Sequence, residues 1–125
     1  MRVSVVVDAA DPDALVEFWA GALAYRPVPS PPGYRVLVPR DGEPEGPVLV
    51  LQRVPEPKQG KNRCHVDVHP PVGTAEEHVV RLEALGGKRV GDWVVEIAGI
   101  RWQVVTDPEG NELCVVDDDY PGDGR

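Results

Sequence analysis

The chain is poor in cysteine, methionine and phenylalanine, short of positive charge, and without a long apolar run. Its two cysteines, Cys64 and Cys114, are too few for a disulfide framework and suit a reducing compartment, so a cytoplasmic protein is expected. No stretch approaches the roughly 20 apolar residues that cross a bilayer, and no basic region precedes an apolar core at the amino terminus. A membrane partner is therefore not expected. Thirteen Lys and Arg face 21 Asp and Glu, for a net charge of −8. Such a field repels phosphate backbones, which argues against nucleic acid and favours a neutral or cationic ligand.

Proline, in contrast, is plentiful. Its 14 copies fall mostly between periodic segments, the mark of a loop-rich strand protein and not of a helical bundle. Those segments repeat. A strand, Val3 to Asp8, runs into a helix opened by Asp11 and Pro12, and extended segments Tyr34–Val38 and Val48–Gln52 follow. The pattern restarts at Arg63–His69, with a helix from Thr74 and the strands Trp93–Ile97 and Arg101–Val105 joined across Ala98-Gly99. It closes with the turn Asp107-Pro108-Glu109-Gly110-Asn111 and the strand Leu113–Val116. Each copy reads strand, helix, three strands, an α+β arrangement of two βαβββ modules. Halves of about 60 residues are marginal alone, so the copies are expected to share one domain over residues 1–117. Module one covers about 1–54, the linker 55–61, and module two 62–117. Residues 118–125 read as an acidic, solvated tail, and Asp117 reads with them.

Helix spacing puts Leu15, Phe18, Trp19 and Ala22 on one buried stripe, with Asp11 as side-chain cap and Pro12 in the first turn. In the second helix Thr74 is the expected cap, and His78, Leu82 and Leu85 share a stripe before Gly86-Gly87 ends it, with His78 expected to be partly packed and not chemical. Strand alternation sends His65, Asp67 and His69 to one face and Cys64, Val66 and Val68 to the other. Two histidines so spaced can share zinc or a first-row transition ion with a carboxylate. The plainer reading is a hydrogen-bonded His65, with His69 at the strand end beside Pro70-Pro71.

The paired modules, the helix Asp11-Pro12 to Leu23 with Phe18-Trp19, the stretch Gln52 to Lys58 through Asn62-Arg63-Cys64-His65, and the Asp107 to Asn111 turn together resemble glyoxalase-like proteins. These belong to the vicinal oxygen chelate superfamily, which includes glyoxalases, bleomycin-resistance proteins and extradiol dioxygenases. The resemblance implies curled mixed sheets around a shared cavity with helices outside, and frequent pairing of chains, so a homodimer is expected. It also implies metal ligands on the first and last strands of each module. His65 matches one such position. Ser4 falls where metal-dependent relatives carry histidine or glutamine, and Cys114 falls where they carry glutamate.

That set is incomplete, so no tightly bound divalent metal and no other cofactor is expected. A metal, if held, would fall to His65, Gln52 and Cys114. The reading that follows is a binding protein that sequesters or processes a small organic compound, its ligand held by Gln52, Arg53, His65, Asp67 and Trp102, with Trp93 and Tyr34 as further flat surfaces. The alternative is a metal-dependent lyase, isomerase or dioxygenase using His65, which is also the one candidate catalytic residue. Activity itself stays open between the two.

Overall fold

The computed structural model describes residues 1–97 and 99–120, without the side chains of Glu96 and Ile97. Of the elements expected above, the junction at Ala98 and the tail beyond Tyr120 lie outside these residues. The chain forms two compact units, Met1–Gly60 and Lys61–Arg125.

In the first unit β1 (Ser4–Ala9) leads into α1 (Pro12–Leu23), then β2 (Tyr25–Val28), β3 (Tyr34–Pro39) and β4 (Val48–Arg53). The sheet order is β1-β4-β3-β2, with β1 parallel to β4 and the other pairs antiparallel. A helix between β1 and its parallel neighbour supplies the long crossover that parallel pairing requires. Leu15, Phe18, Trp19 and Ala22 are buried as the helical spacing predicts, and so are Leu37, Leu49 and Leu51 from the sheet. The helix stops at Ala24, whose left-handed φ of 58° lets its amide bond Ala20 before β2 begins. Asp11 occupies the cap position but makes no side-chain capping bond. Its carboxylate lies 3.9 Å from Arg53, which competes with the helix amides.

The second unit repeats the order with β5 (Val66–Val68), α2 (Ala75–Ala84), β6 (Lys88–Ile97), β7 (Ile100–Thr106) and β8 (Glu112–Asp117). Its sheet runs β5-β8-β7-β6, again with the crossover pair parallel. The α+β class and the βαβββ order expected from the sequence are thus observed in both units. On α2 the buried residues are Ala75, Val79 and Leu82, and His78 and Leu85, the other members of the expected stripe, are half-buried. One local expectation is corrected. The Thr74 hydroxyl donates to Pro71 O at 2.6 Å instead of capping the helix, an ST-type local bond that holds the preceding turn. Gly86, at φ +96°, ends the helix, and a Cβ there would meet Pro108 Cγ at 3.0 Å.

The start of the expected tail is structured. Asp117 pairs with Arg101 in the β7–β8 ladder and accepts from Arg101 Nε at 3.0 Å. The same guanidinium lies 3.9 Å from the Trp93 ring centre and 4.2 Å from that of Tyr120. Asp118 meets His69 Nδ1 at 2.8 Å, and Tyr120 N–H donates to Gly99 O. Ladder pairing holds Asp117 and cation–π stacking holds Tyr120, while Asp118 and Asp119 are exposed, as a composition rich in Asp predicts. Around Trp93, Glu76 accepts from the indole at 3.2 Å and from Arg89.

Hydrogen bonds from Arg89 hold the Glu76 carboxyl below its ordinary range, and Trp93 and Arg101 add to the effect against an opposing contribution from burial. A carboxyl depressed in the folded state contributes stability above its unfolded value, about 4.3, and loses it as pH falls through the lower folded value. Glu76→Gln is therefore expected to lower the melting temperature at neutral pH and to flatten the acid limb, so that the two proteins converge in acid. Parallel curves in a melting series against pH would contradict this.

Candidate functional site

The turn between β7 and β8 sets the register of the strand that carries Cys114. Asp107, 2% exposed, accepts at one carboxylate oxygen from Glu109 N–H (2.8 Å) and Asn111 N–H (2.9 Å), and at the other from Asn111 Nδ2 (2.9 Å). Gly110 takes the positive φ of 93° that closes the turn. β8 then alternates. Leu113 and Val115 are fully buried on the side that α2 covers, while Cys114 and Val116 belong to the opposite face.

Register shows what shares that opposite face. Asp67 of β5 and Val104 of β7 stand directly across from Cys114, and Trp102 stands across from Val116 and Val94. His65 lies just before β5, which is only three residues long, and its Nε2 is 3.4 Å from Asp67 Oδ1. One ligand atom from each of His65, Asp67 and Cys114 can be chosen so that all lie within 4.8 Å of one another. The two first residues are exposed, whereas Cys114 is 7% exposed. Burial pushes the Cys114 thiol up to about 11, and the neighbouring Asp67 charge adds to it. The sulfur is thus a neutral thiol at physiological pH.

Both cysteines are free. Under native conditions a thiol reagent is expected to titrate the exposed Cys64 rapidly and Cys114 only on unfolding. Equal rates would contradict the burial of Cys114.

Glu112 also belongs to this face, but its carboxylate accepts from Asn62 N–H at 2.9 Å and from Lys61 Nζ at 3.3 Å. It fixes the chain three residues before His65. His69, grouped with His65 by alternation, instead falls beyond the end of β5 and bonds Asp118. Trp93 belongs to the network of Arg101 and Glu76, not to the face of Trp102.

The remaining candidates lie in the first unit. Gln52 stands across from Asp8 and Tyr34, on the face of Ser4, Val6 and Val50. Arg53 follows it onto the other face, where its guanidinium donates to Ala10 O at 3.2 Å. An open groove of about 1270 Å³ lies along the first face, with Ser4, Val36, Val48 and Val50 in its lining and Arg40 and Glu43 at its rim. β4 and β8 have six residues each, so Val50 is the counterpart of Cys114 and Gln52 that of Val116. Val6 pairs with Val50 as Asp67 pairs with Cys114, and Ser4 precedes Val6 by two as His65 precedes Asp67. The first copy therefore has Ser4, Val6 and Val50 where the second has His65, Asp67 and Cys114.

As a test for a metal, this set supplies one imidazole, one carboxylate and one thiol. Manganese and magnesium favour several oxygen donors, which it does not supply; a thiol with an imidazole suits thiophilic ions. Sequence reasoning had named each of the three side chains. It set Asp67 beside His65 on one strand face, and His65 with Cys114 and Gln52, but did not join Asp67 to Cys114.

A family model for a glyoxalase-like domain matches residues 4–116. Among solved structures, a glyoxalase/bleomycin resistance protein/dioxygenase family enzyme from Burkholderia phytofirmans PsJN superposes with a TM-score of 0.74 at 14% identity, covering 90% of this chain and 94% of that one. The fosfomycin resistance protein FosX from Listeria monocytogenes gives 0.74 at 11% identity, with coverage of 96% and 92%. TioX from Micromonospora sp. ML1 gives 0.63 at 21% identity, with coverage of 94% and 98%. FosX has also been solved with Mn(II) and sulfate. No curated protein matches the chain.

Proposed function

The chain belongs to the glyoxalase-like domain family of the vicinal oxygen chelate superfamily, and from that premise we propose that it binds a small organic molecule, without a manganese or magnesium centre. The observation that carries the reading is the contrast between its two copies. His65, Asp67 and Cys114 gather in the second unit, and Ser4, Val6 and Val50 hold the matching places in the first. A hydrogen-bonding group of the ligand meets His65 and Asp67, and Trp102, on the same sheet face, offers flat apolar surface. The acidic chain favours a neutral or cationic compound. Gln52 is proposed as a secondary contact on the first unit's face. Arg53 is proposed to act on the β1–α1 loop, where its bonds lie, and not on the ligand directly.

The second reading is a metal-dependent lyase, isomerase or dioxygenase using His65. The three convergent donors favour it. FosX has been solved in complex with Mn(II), but the thiol at Cys114 argues against the same ion here. A cytoplasmic setting is proposed from the two free thiols, and a homodimer from the outer strands of the two described sheets, β1 and β2, β5 and β6. A monomer mass by light scattering at micromolar concentration would remove the dimer.

A screen of neutral and cationic organic compounds read by tryptophan quenching tests the ligand reading. Bound compounds are expected to lose affinity in Asp67→Asn and to lose their quenching in Trp102→Phe. Binding unchanged in both variants would refute the reading.

A further inference from the structure

We propose that His65, Asp67 and Cys114 form a three-donor site for a thiophilic divalent ion of the zinc class, selective against the manganese that FosX holds. This goes beyond the binding of an organic molecule, and it departs from the expectation of no tightly bound divalent metal, which counted Gln52 and not Asp67 as the third donor. It rests on the placement of the polar site in the second unit and on no property of the ligand.

The geometry is the first support. Donors bound tetrahedrally at zinc distances of 2.0–2.3 Å stand about 3.3–3.8 Å apart. His65 Nε2 and Asp67 Oδ1 are already 3.4 Å apart, and the whole group fits within 4.8 Å. Closing the set onto an ion therefore needs side-chain shifts of no more than about 1 Å, within the reach of side-chain torsions. Position is the second support. Asp67 and Cys114 are cross-strand partners in a parallel ladder, so two donors come from rigid sheet positions, and Glu112 holds the approach to the third through Asn62. The donors' remaining side is exposed at His65 and Asp67, which leaves a fourth position for water or a ligand, as catalytic zinc sites require.

Charge agrees. Asp67 and Glu112 place two carboxylates near the sulfur against one ammonium, Lys61, which favours a cation. Softness then selects among cations: thiolate and imidazole favour zinc, cadmium and cobalt, and a single carboxylate gives manganese too few oxygen donors. No comparable set exists at Ser4, Val6 and Val50, so one ion per chain is expected.

Cobalt(II) is the probe. Titration of the intact, reduced protein is expected to give a near-ultraviolet thiolate-to-cobalt band saturating at one equivalent and displaced by zinc. Manganese(II), followed by its free-ion paramagnetic resonance signal, is expected to bind at least ~10-fold more weakly than cobalt. Cys114→Ser should remove the band, His65→Ala should weaken cobalt binding, and Cys64→Ser should leave both intact. If Cys114→Ser does not fold, the Cys64→Ser protein carries the test, because its band can then come only from Cys114. A band lost in Cys64→Ser, manganese binding equal to cobalt, or no band at all would each overturn the proposal. Ligand quenching at Trp102 is read separately, so loss of the metal site leaves the binding-protein reading standing, and the reverse also holds.

Discussion

Asp107→Ala is expected to lower the unfolding free energy by about 3–5 kcal/mol, the largest stability effect of any single polar substitution considered for this chain. The carboxylate is buried and accepts three hydrogen bonds, two of them from backbone amides of its own turn. Bonds to a charged acceptor contribute about 1.5–3 kcal/mol each, but loss of all three from one group is less than additive because the turn relaxes. Alanine also leaves the Asn111 amide without its charged partner in a buried position. The consequence reaches the site, since the turn sets the start of β8 and so the places of Cys114 and of Glu112, which holds Asn62. Urea unfolding should show a lower midpoint with an unchanged slope. A loss below about 1 kcal/mol would mean that the turn is held by its backbone bonds alone.

His65→Ala is expected to weaken the tightest organic ligand found by quenching by about 10- to 100-fold, near 1.4–2.7 kcal/mol, with little change in stability. The imidazole is exposed, packs into no core and stands beside Asp67, and removal of an exposed side chain ordinarily changes stability by about 0.5 kcal/mol or less. A ligand group bonded to it would be left facing a shorter apolar side chain and an unshared Asp67 charge. Ser4→Ala, its counterpart in the first copy, should change affinity by less than about threefold. Calorimetric titration of both variants checks the pair. Equal losses at Ser4 and His65 would contradict an asymmetric site.

The architecture was legible because periodicity reports burial directly. The stripe Leu15, Phe18, Trp19 and Ala22 and the alternating leucines of β4 could face only one side, and both bury there. Local side-chain bonds were not legible, since Asp11 and Thr74 each had a competing partner, Arg53 and Pro71 O, that only the folded chain supplies. In the second helix the stripe of His78, Leu82 and Leu85 is buried at Leu82 and half-buried at its ends, and the small Ala75 and Val79, which fit against a sheet, complete the buried face. Asp117 read with the tail because composition registers charge and not pairing, and it is held in β8 by Arg101. At the site, sequence set His65 with Asp67 and, separately, with Cys114. The meeting of Asp67 with Cys114 depends on the parallel register of β5 with β8, which no local pattern encodes.

On the proposed function the ligand's main polar contacts lie in the second unit. Amide and indole chemical-shift mapping during titration with a ligand from the quenching screen tests it most directly. The predicted result is a cluster of perturbed signals at Asp67, Trp102, Val104 and Cys114, with Val6, Val48 and Val50 changing little. Perturbations centred on Val48 and Val50 along the first unit's groove, with Asp67 and Cys114 unmoved, would contradict it.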